Sequence, residues 1–226
     1  VTMPCLVLLS VMTLSACDGS SGAADDPRGP EIPLNELRSS KQRVTSPVVG
    51  GEDAATFASD NLAFSIDLYH EIRTQKQGNF IYSQPSISTA LAMLYAGART
   101  TTASQMADAL HFSLPAPRLH AAFNAQDLAL TTPPPGGNPS AFRLSIANSL
   151  WLQEGMNVLP AYLDVLAESY DAGLYLQNFS SAPEPARQAI NHWISVARED
   201  QIPNLFPEGT ITTLTRLVLA NAVFFH

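Results

Sequence analysis

The stretch Asn79 to Phe112, NFIYSQPSISTALAMLYAGARTTTASQMADALHF, decides how the rest of the chain is read. Phe80-Ile81-Tyr82 is a short run of strand-forming residues, and Ser83-Gln84-Pro85-Ser86 breaks it. A hydroxyl in that break can cap a helix, and proline suits the first helical turn. Ile87 to Ala98 carries no charge, with Ile87, Leu91, Leu94 and Ala98 at helical spacing and Ala90, Ala92, Met93 and Tyr95 on the other faces. A helix apolar all round belongs inside a large domain. It is too short for a bilayer, which needs about 20 residues. Thr102 with Gln105 reads as a capping box opening a second helix through Leu110.

Working outward, Ala54 to Ile72 reads as an amphipathic helix carrying Phe57, Leu62, Phe64 (or Ala63), Ile66, Leu68 and Tyr69. Pro115 to Thr132 is a further helix, and TPPPGGNPS over 132–140 is a loop, since proline and glycine exclude both a helix and a central strand. Phe142 to Leu152 has strand character, Leu159 to Tyr170 is an amphipathic helix, and Leu174-Tyr175-Leu176 suits a short strand. Glu184 to Glu199 is a long helix in which Trp193 reads as a packing anchor. Leu214 to Phe225, LTRLVLANAVFF, is a nearly continuous apolar strand, the pattern of burial on both faces. This order is not a regular βαβ alternation. It predicts the α+β class, with helices packed around a large sheet.

Bulk properties exclude several function classes. The net charge is -8 with 12 Lys and Arg among 226 residues, which argues against a general nucleic-acid grip. Both cysteines, Cys5 and Cys17, lie in the first segment, so the globular part has no disulfide or Cys-based metal site. His111 and His120 have no further ligand at metal-site spacing, and His70 reads as a surface or boundary residue, so neither metal nor cofactor is expected. Residues 1–17 have the layout of a secretory signal, an apolar run from Leu6 to Leu14 followed by small residues, although no basic residue precedes Arg28. Leu14-Ser15-Ala16-Cys17 resembles the bacterial lipobox, which implies lipidation of Cys17, anchorage at a membrane and a cell-envelope or secreted location. The alternatives are an ordinary cleavable signal or a wrongly assigned start. Residues 18–53 mix Gly, Ser, Pro and both charges without periodicity and read as a flexible tether, leaving 54–226 as the folded domain.

Several segments resemble the serpins in the right order. Ser83-Gln84-Pro85-Ser86-Ile87-Ser88 and the apolar helix ending Gly97-Ala98 are similar to the family's second-helix region, with proline one place late and Thr100 where a glycine is usual. Asn148-Ser149-Leu150-Trp151, Ile190-Asn191-His192-Trp193-Ile194 and Ile202-Pro203-Asn204-Leu205-Phe206 resemble its further motifs, and Leu214 to Ala222 its L-T-R-L-V-L-V-N-A strand. Arg198 and Asp200 depart from the usual Thr and Gly, and Asn178 from an acidic residue.

The resemblance covers about residues 54–226 and implies the N-terminal part of a serpin-like fold, without the C-terminal strands and reactive-centre loop. It implies an inhibitor, not an enzyme: a serine or cysteine peptidase cleaves the loop, which then inserts into the main sheet as a new strand. The loop would belong to sequence beyond His226, so no reactive-centre residue can be named here, and these residues alone are expected to be unstable and non-inhibitory. By motif position Ser83, Ser86 and Asn221 resemble the shutter cluster beneath the strands that part. Read without the resemblance, the two serines cap a helix and Asn221 satisfies a buried neighbour. Two other functions compete: a non-inhibitory binding or chaperone-like envelope lipoprotein of the same fold, and a hydrolase built on Ser83, for which no nucleophile-elbow motif exists.

Overall fold

The computed structural model describes residues 6–7, 35–132, 144–197, 202 and 204–225. Strands and helices follow in the order β1 (Leu6–Val7), β2 (Asn35–Leu37), α1 (Gly51–Gln75), α2 (Gln84–Gly97), α3 (Thr100–Leu110), α4 (Ala116–Thr131), β3 (Leu144–Gln153), α5 (Pro160–Tyr170), β4 (Leu174–Gln177), α6 (Pro183–Ala197) and β5 (Leu217–Phe225). This is the α+β arrangement the sequence predicts. The sheet order is β1-β5-β3-β4-β2. β3 and β5 pair antiparallel over nine positions, from Leu144 opposite Phe225 to Leu152 opposite Leu217. β4 runs parallel to β3, β2 antiparallel to β4, and β1 parallel to β5 at Val218 and Leu219.

Alternation along the strands sorts side chains onto two faces. Trp151, Val218, Ala220 and Ala222 meet Ala186, Ile190 and Ile194 of α6, with Phe179 and Phe206 filling the ends. Leu150, Leu152 and Leu219 point the other way, against Ala90 and Met93 of α2 and Leu163 and Leu166 of α5. Val218, Leu219, Ala220 and Ala222 are all buried, so β5 is covered on both faces as its unbroken apolar run requires. A third cluster joins α1 to α4 through Phe64, Ile87, Leu110, Leu119 and Phe123. α2 therefore lies between the sheet and an outer layer of helices. Its Gly97 permits close contact: a Cβ there would sit 3.2 Å from the Tyr162 ring.

Several local expectations differ from the structure. Phe80-Ile81-Tyr82 forms no strand; it links α1 to α2, and the Phe80 ring lies 5.6 Å from Tyr69 and 6.1 Å from Tyr82. α3 starts at Thr100, and no capping box closes it at Thr102. Thr100 takes φ 52°, a left-handed conformation that a β-branched residue adopts only under strain. A glycine is usual at this place in the resembling pattern, and the backbone shows why. On α1 the expected apolar face divides: Phe57, Phe64 and Leu68 turn to the core, whereas Leu62, Ile66 and Tyr69 form an exposed stripe.

Of the stretch expected to be a tether, residues 35–53 are described, and they are pinned. Asn35–Leu37 are a strand, the Val44 N–H donates to the Glu168 carbonyl at 2.9 Å, and α1 begins at Gly51 with Glu52 and Asp53 in its first turn. Residues 18–34, the 133–140 part of the proline-rich loop, and Arg198 and Asp200 lie outside the described residues.

Candidate functional site

The N-terminus of α2 and the middle of β5 meet behind the sheet, and the candidate residues lie there. Asn221 follows Leu219 at a two-residue interval and so faces α2, opposite Asn148 of β3 in the ladder. Its side-chain NH2 donates to the Ser86 hydroxyl, to the Asn148 side-chain oxygen and, at 3.3 Å, to the Ser86 carbonyl. Ser86 is fully buried, while Asn148 and Asn221 are half-buried. One amide thus ties the central helix to two adjacent strands.

Two of the three expected cluster residues come together, Ser86 and Asn221. Ser83 does not join them. It is half-buried at the N-cap of α2, makes no side-chain cap bond, and offers its carbonyl to the Ile87 N–H at 3.1 Å. Asn148 was missed by the sequence reading. Its signal was its register, since an asparagine inside an apolar strand needs a buried partner and Asn221 is another such residue. Ser88 belongs to a separate network on the far side of α2: its hydroxyl donates at 3.0 Å to Asn61 Oδ1, which also accepts from Gln84 Nε2 at 2.9 Å.

On the opposite face α6 is tied down by a reciprocal pair. Asn191 Nδ2 donates to the Phe206 carbonyl and the Phe206 N–H donates to Asn191 Oδ1, both at 2.9 Å. Arg187 adds a 2.7 Å bond to the same carbonyl. Asn191 is buried, so it fixes the return from α6 towards β5. Trp193 is half-buried and bonds Tyr175 Oη through Nε1 at 3.1 Å, the packing role expected of it.

Three groups, His120, Tyr162 and Tyr170, are kept neutral by burial. His120 lies 2.6 Å from the Tyr170 hydroxyl through Nδ1, and burial pushes its pKa down to about 4. Burial holds the Tyr170 and Tyr162 hydroxyls well above their usual value, so Tyr170 donates to an unprotonated imidazole. A folded-state pKa below the unfolded value means the unfolded chain takes up the proton first. Stability is therefore full above about pH 6.5 and declines as pH falls to about 4, by about 2–3 kcal/mol. Comparing unfolding of wild type and His120→Gln between pH 7 and pH 4 checks this. The wild type should lose that much more, and parallel curves would contradict it. Among the described residues no cluster of His, Cys, Asp or Glu suits a metal ion, and no helix is long and apolar enough to cross a membrane. His111 pairs with Asp67 at 2.7 Å, and His70 is exposed.

Comparison with known proteins agrees with this fold. The family profile described as Serpin (serine protease inhibitor) matches residues 59–226. The chain is 37% identical over 163 residues to the leukocyte elastase inhibitor of Xenopus tropicalis, covering 72% of this chain and 42% of that protein. It is 34% identical over 181 residues to human serpin B4, covering 73% and 45%. Among solved structures, emu ovalbumin superposes with a TM-score of 0.66 at 29% identity, over 75% of this chain and 46% of that one. The chain belongs to the serpin family. It spans less than half the length of these relatives.

Proposed function

We propose that these residues supply the central sheet strands and shutter-like cluster of a serpin-type inhibitor of serine peptidases. The observation that carries the reading is the Ser86–Asn148–Asn221 cluster, in which exchangeable hydrogen bonds tie the N-terminus of α2 to β3 and β5 beside the apolar packing of Ala90 and Met93. Such bonds can be remade when strands part, because each amide and hydroxyl offers more than one pairing. On its outer side β5 meets only β1, at Val218 and Leu219, so beyond Leu219 its backbone has no strand neighbour there among the described residues. An edge of that kind accepts an added strand. In the proposed mechanism a peptidase acylates itself on a reactive loop, and the cleaved loop adds to the sheet beside β5. The loop would come from the share of the relatives' length that this chain does not span. Extension of the target range to cysteine peptidases, lipidation at Cys17, which would remove β1 with the signal and leave the outer side of β5 bare, and location at a cell envelope belong to the same proposal; Cys17 lies outside the described residues.

The test uses the polypeptide isolated from its own cells, mixed with trypsin-like, chymotrypsin-like and elastase-like peptidases. A denaturant-resistant adduct with one of them, alongside loss of its activity, is expected. Cleavage as an ordinary substrate, with no adduct and no loss of activity, would overturn the reading.

A further inference from the structure

The segment ahead of α1 lies outside the family match, yet it is held against β4, α4 and α5. Its β2 residues pair with the outer edge of β4, Asn35 opposite Leu176 and Leu37 opposite Leu174. Beyond the strand, three cations meet a row of carboxylates on α4, on α5 and at the C-cap of α5. Arg38 pairs with Asp171, Lys41 lies 3.0 Å from Glu168 and 3.5 Å from Asp164, and Arg43 lies 2.6 Å from Asp127. Ser39 Oγ donates to Asp164 at 2.6 Å. That bond, then Lys41, lowers the Asp164 pKa, while Glu168 and Asp164 together raise that of Lys41.

Two features show a receptor shaped for this occupant. Asn124 of α4 is 1% exposed, and its side chain serves the segment at both ends: Nδ2 donates to the Val44 carbonyl at 2.6 Å and Oδ1 accepts from Arg43 Nε at 2.9 Å. With the segment away, Asn124 would keep only a 3.4 Å contact to the Glu168 carbonyl. Gly173 provides the second feature. A Cβ there would fall 2.5 Å from Glu36 Oε1, which can swing aside, and 3.0 Å from the Leu37 carbonyl, so a larger residue would have to push the segment's backbone away from the start of β4. Isolated exposed ion pairs contribute little. Here they act together with a strand ladder and a buried amide.

We propose that the outer edge of β4, Asn124 and the carboxylates of Asp127, Asp164, Glu168 and Asp171 form a docking groove for an extended basic peptide, occupied in cis by residues 35–44. The occupied groove closes the outer edge of β4, whose backbone would otherwise be open to pairing with another chain. The segment joining the family domain to the N-terminal extension is therefore a detachable strap. A peptide of the same charge pattern is its competitor.

The test uses the full chain and its variant R38E/K41E/R43E, in which like charges expel the strap, with a fluorescent peptide of residues 35–45 as probe. The variant should bind the peptide at least about tenfold more tightly than the unaltered chain, whose groove is filled, and raising ionic strength to about 0.5 M should weaken binding. A peptide carrying the same three reversals should not bind. In the unaltered chain the Val44 amide should exchange with solvent at least about tenfold more slowly than in an unstructured peptide. Binding to neither chain, or to both equally, would overturn the proposal. Should the triple variant fail to fold, the unaltered chain and Gly173→Ala decide. Fast exchange at Val44 in the former, or unchanged exchange of residues 35–37 in the latter, contradicts the strap.

Discussion

Replacing Asn221 by leucine is expected to lower stability by about 2–4 kcal/mol, although the strand around it is apolar and leucine is a good fit to such a run. The Asn221 amide is the shared donor to Ser86 and Asn148. Leucine leaves the fully buried Ser86 hydroxyl and the Asn148 oxygen without it. An orphaned buried acceptor loses its protein partner without regaining water, which is why the loss exceeds the net worth of the bonds themselves. Denaturant unfolding of wild type, Asn221→Leu, Ser86→Ala and the double variant measures the coupling between the two sites. A coupling of about 1 kcal/mol or more is expected. Additive effects, or a leucine variant as stable as wild type, would show that the cluster does not bind helix to sheet.

The larger loss is expected at Trp151, where alanine should cost about 4 kcal/mol. Trp151 is fully buried on the α6 face of β3. Its ring stacks on Tyr175 with centroids 4.5 Å apart and meets Trp193 edge-on at 6.0 Å. Its indole N–H donates to Ser149 Oγ at 2.8 Å. Alanine opens a cavity between sheet and helix that the paired strands on either side cannot close, and it releases both aromatic neighbours. Phenylalanine keeps most of the volume and the stacking, so Trp151→Phe should recover more than half of the loss. Equal losses for the two variants would contradict the packing account.

The helices and the long strands were legible because their apolar residues recur at fixed intervals, and the ends fell within a few residues of those found. β5 was plain from its unbroken apolar run, since only a strand covered on both faces carries one. The failures have local causes. Phe80 to Tyr82 has strand composition, but a ladder needs a partner, and among the described residues none lies beside it. The start of α3 was misplaced because Thr100 takes a left-handed backbone that its residue type disfavours. The strap was illegible for a different reason. Asn35-Glu36-Leu37 has no periodicity, and the order of the strap comes from β4 with Gly173, from Asn124 and from four carboxylates, all 80 or more residues away in sequence. Composition alone makes such a segment look disordered. At the candidate site, Ser86 and Asn221 came from the resemblance, whereas Asn148 required the β3–β5 register. That register was implied by two asparagines in two apolar strands, but it could not be fixed without the pairing.

The central claim is that the sheet accepts a strand beside β5. Amide exchange along residues 220–225 tests it most directly, measured on the polypeptide isolated from its own cells before and after reaction with a serine peptidase. The account predicts that the outward-facing amides there become at least about tenfold better protected after cleavage, while those of α4 do not change. Exchange along β5 that is the same before and after cleavage would contradict it.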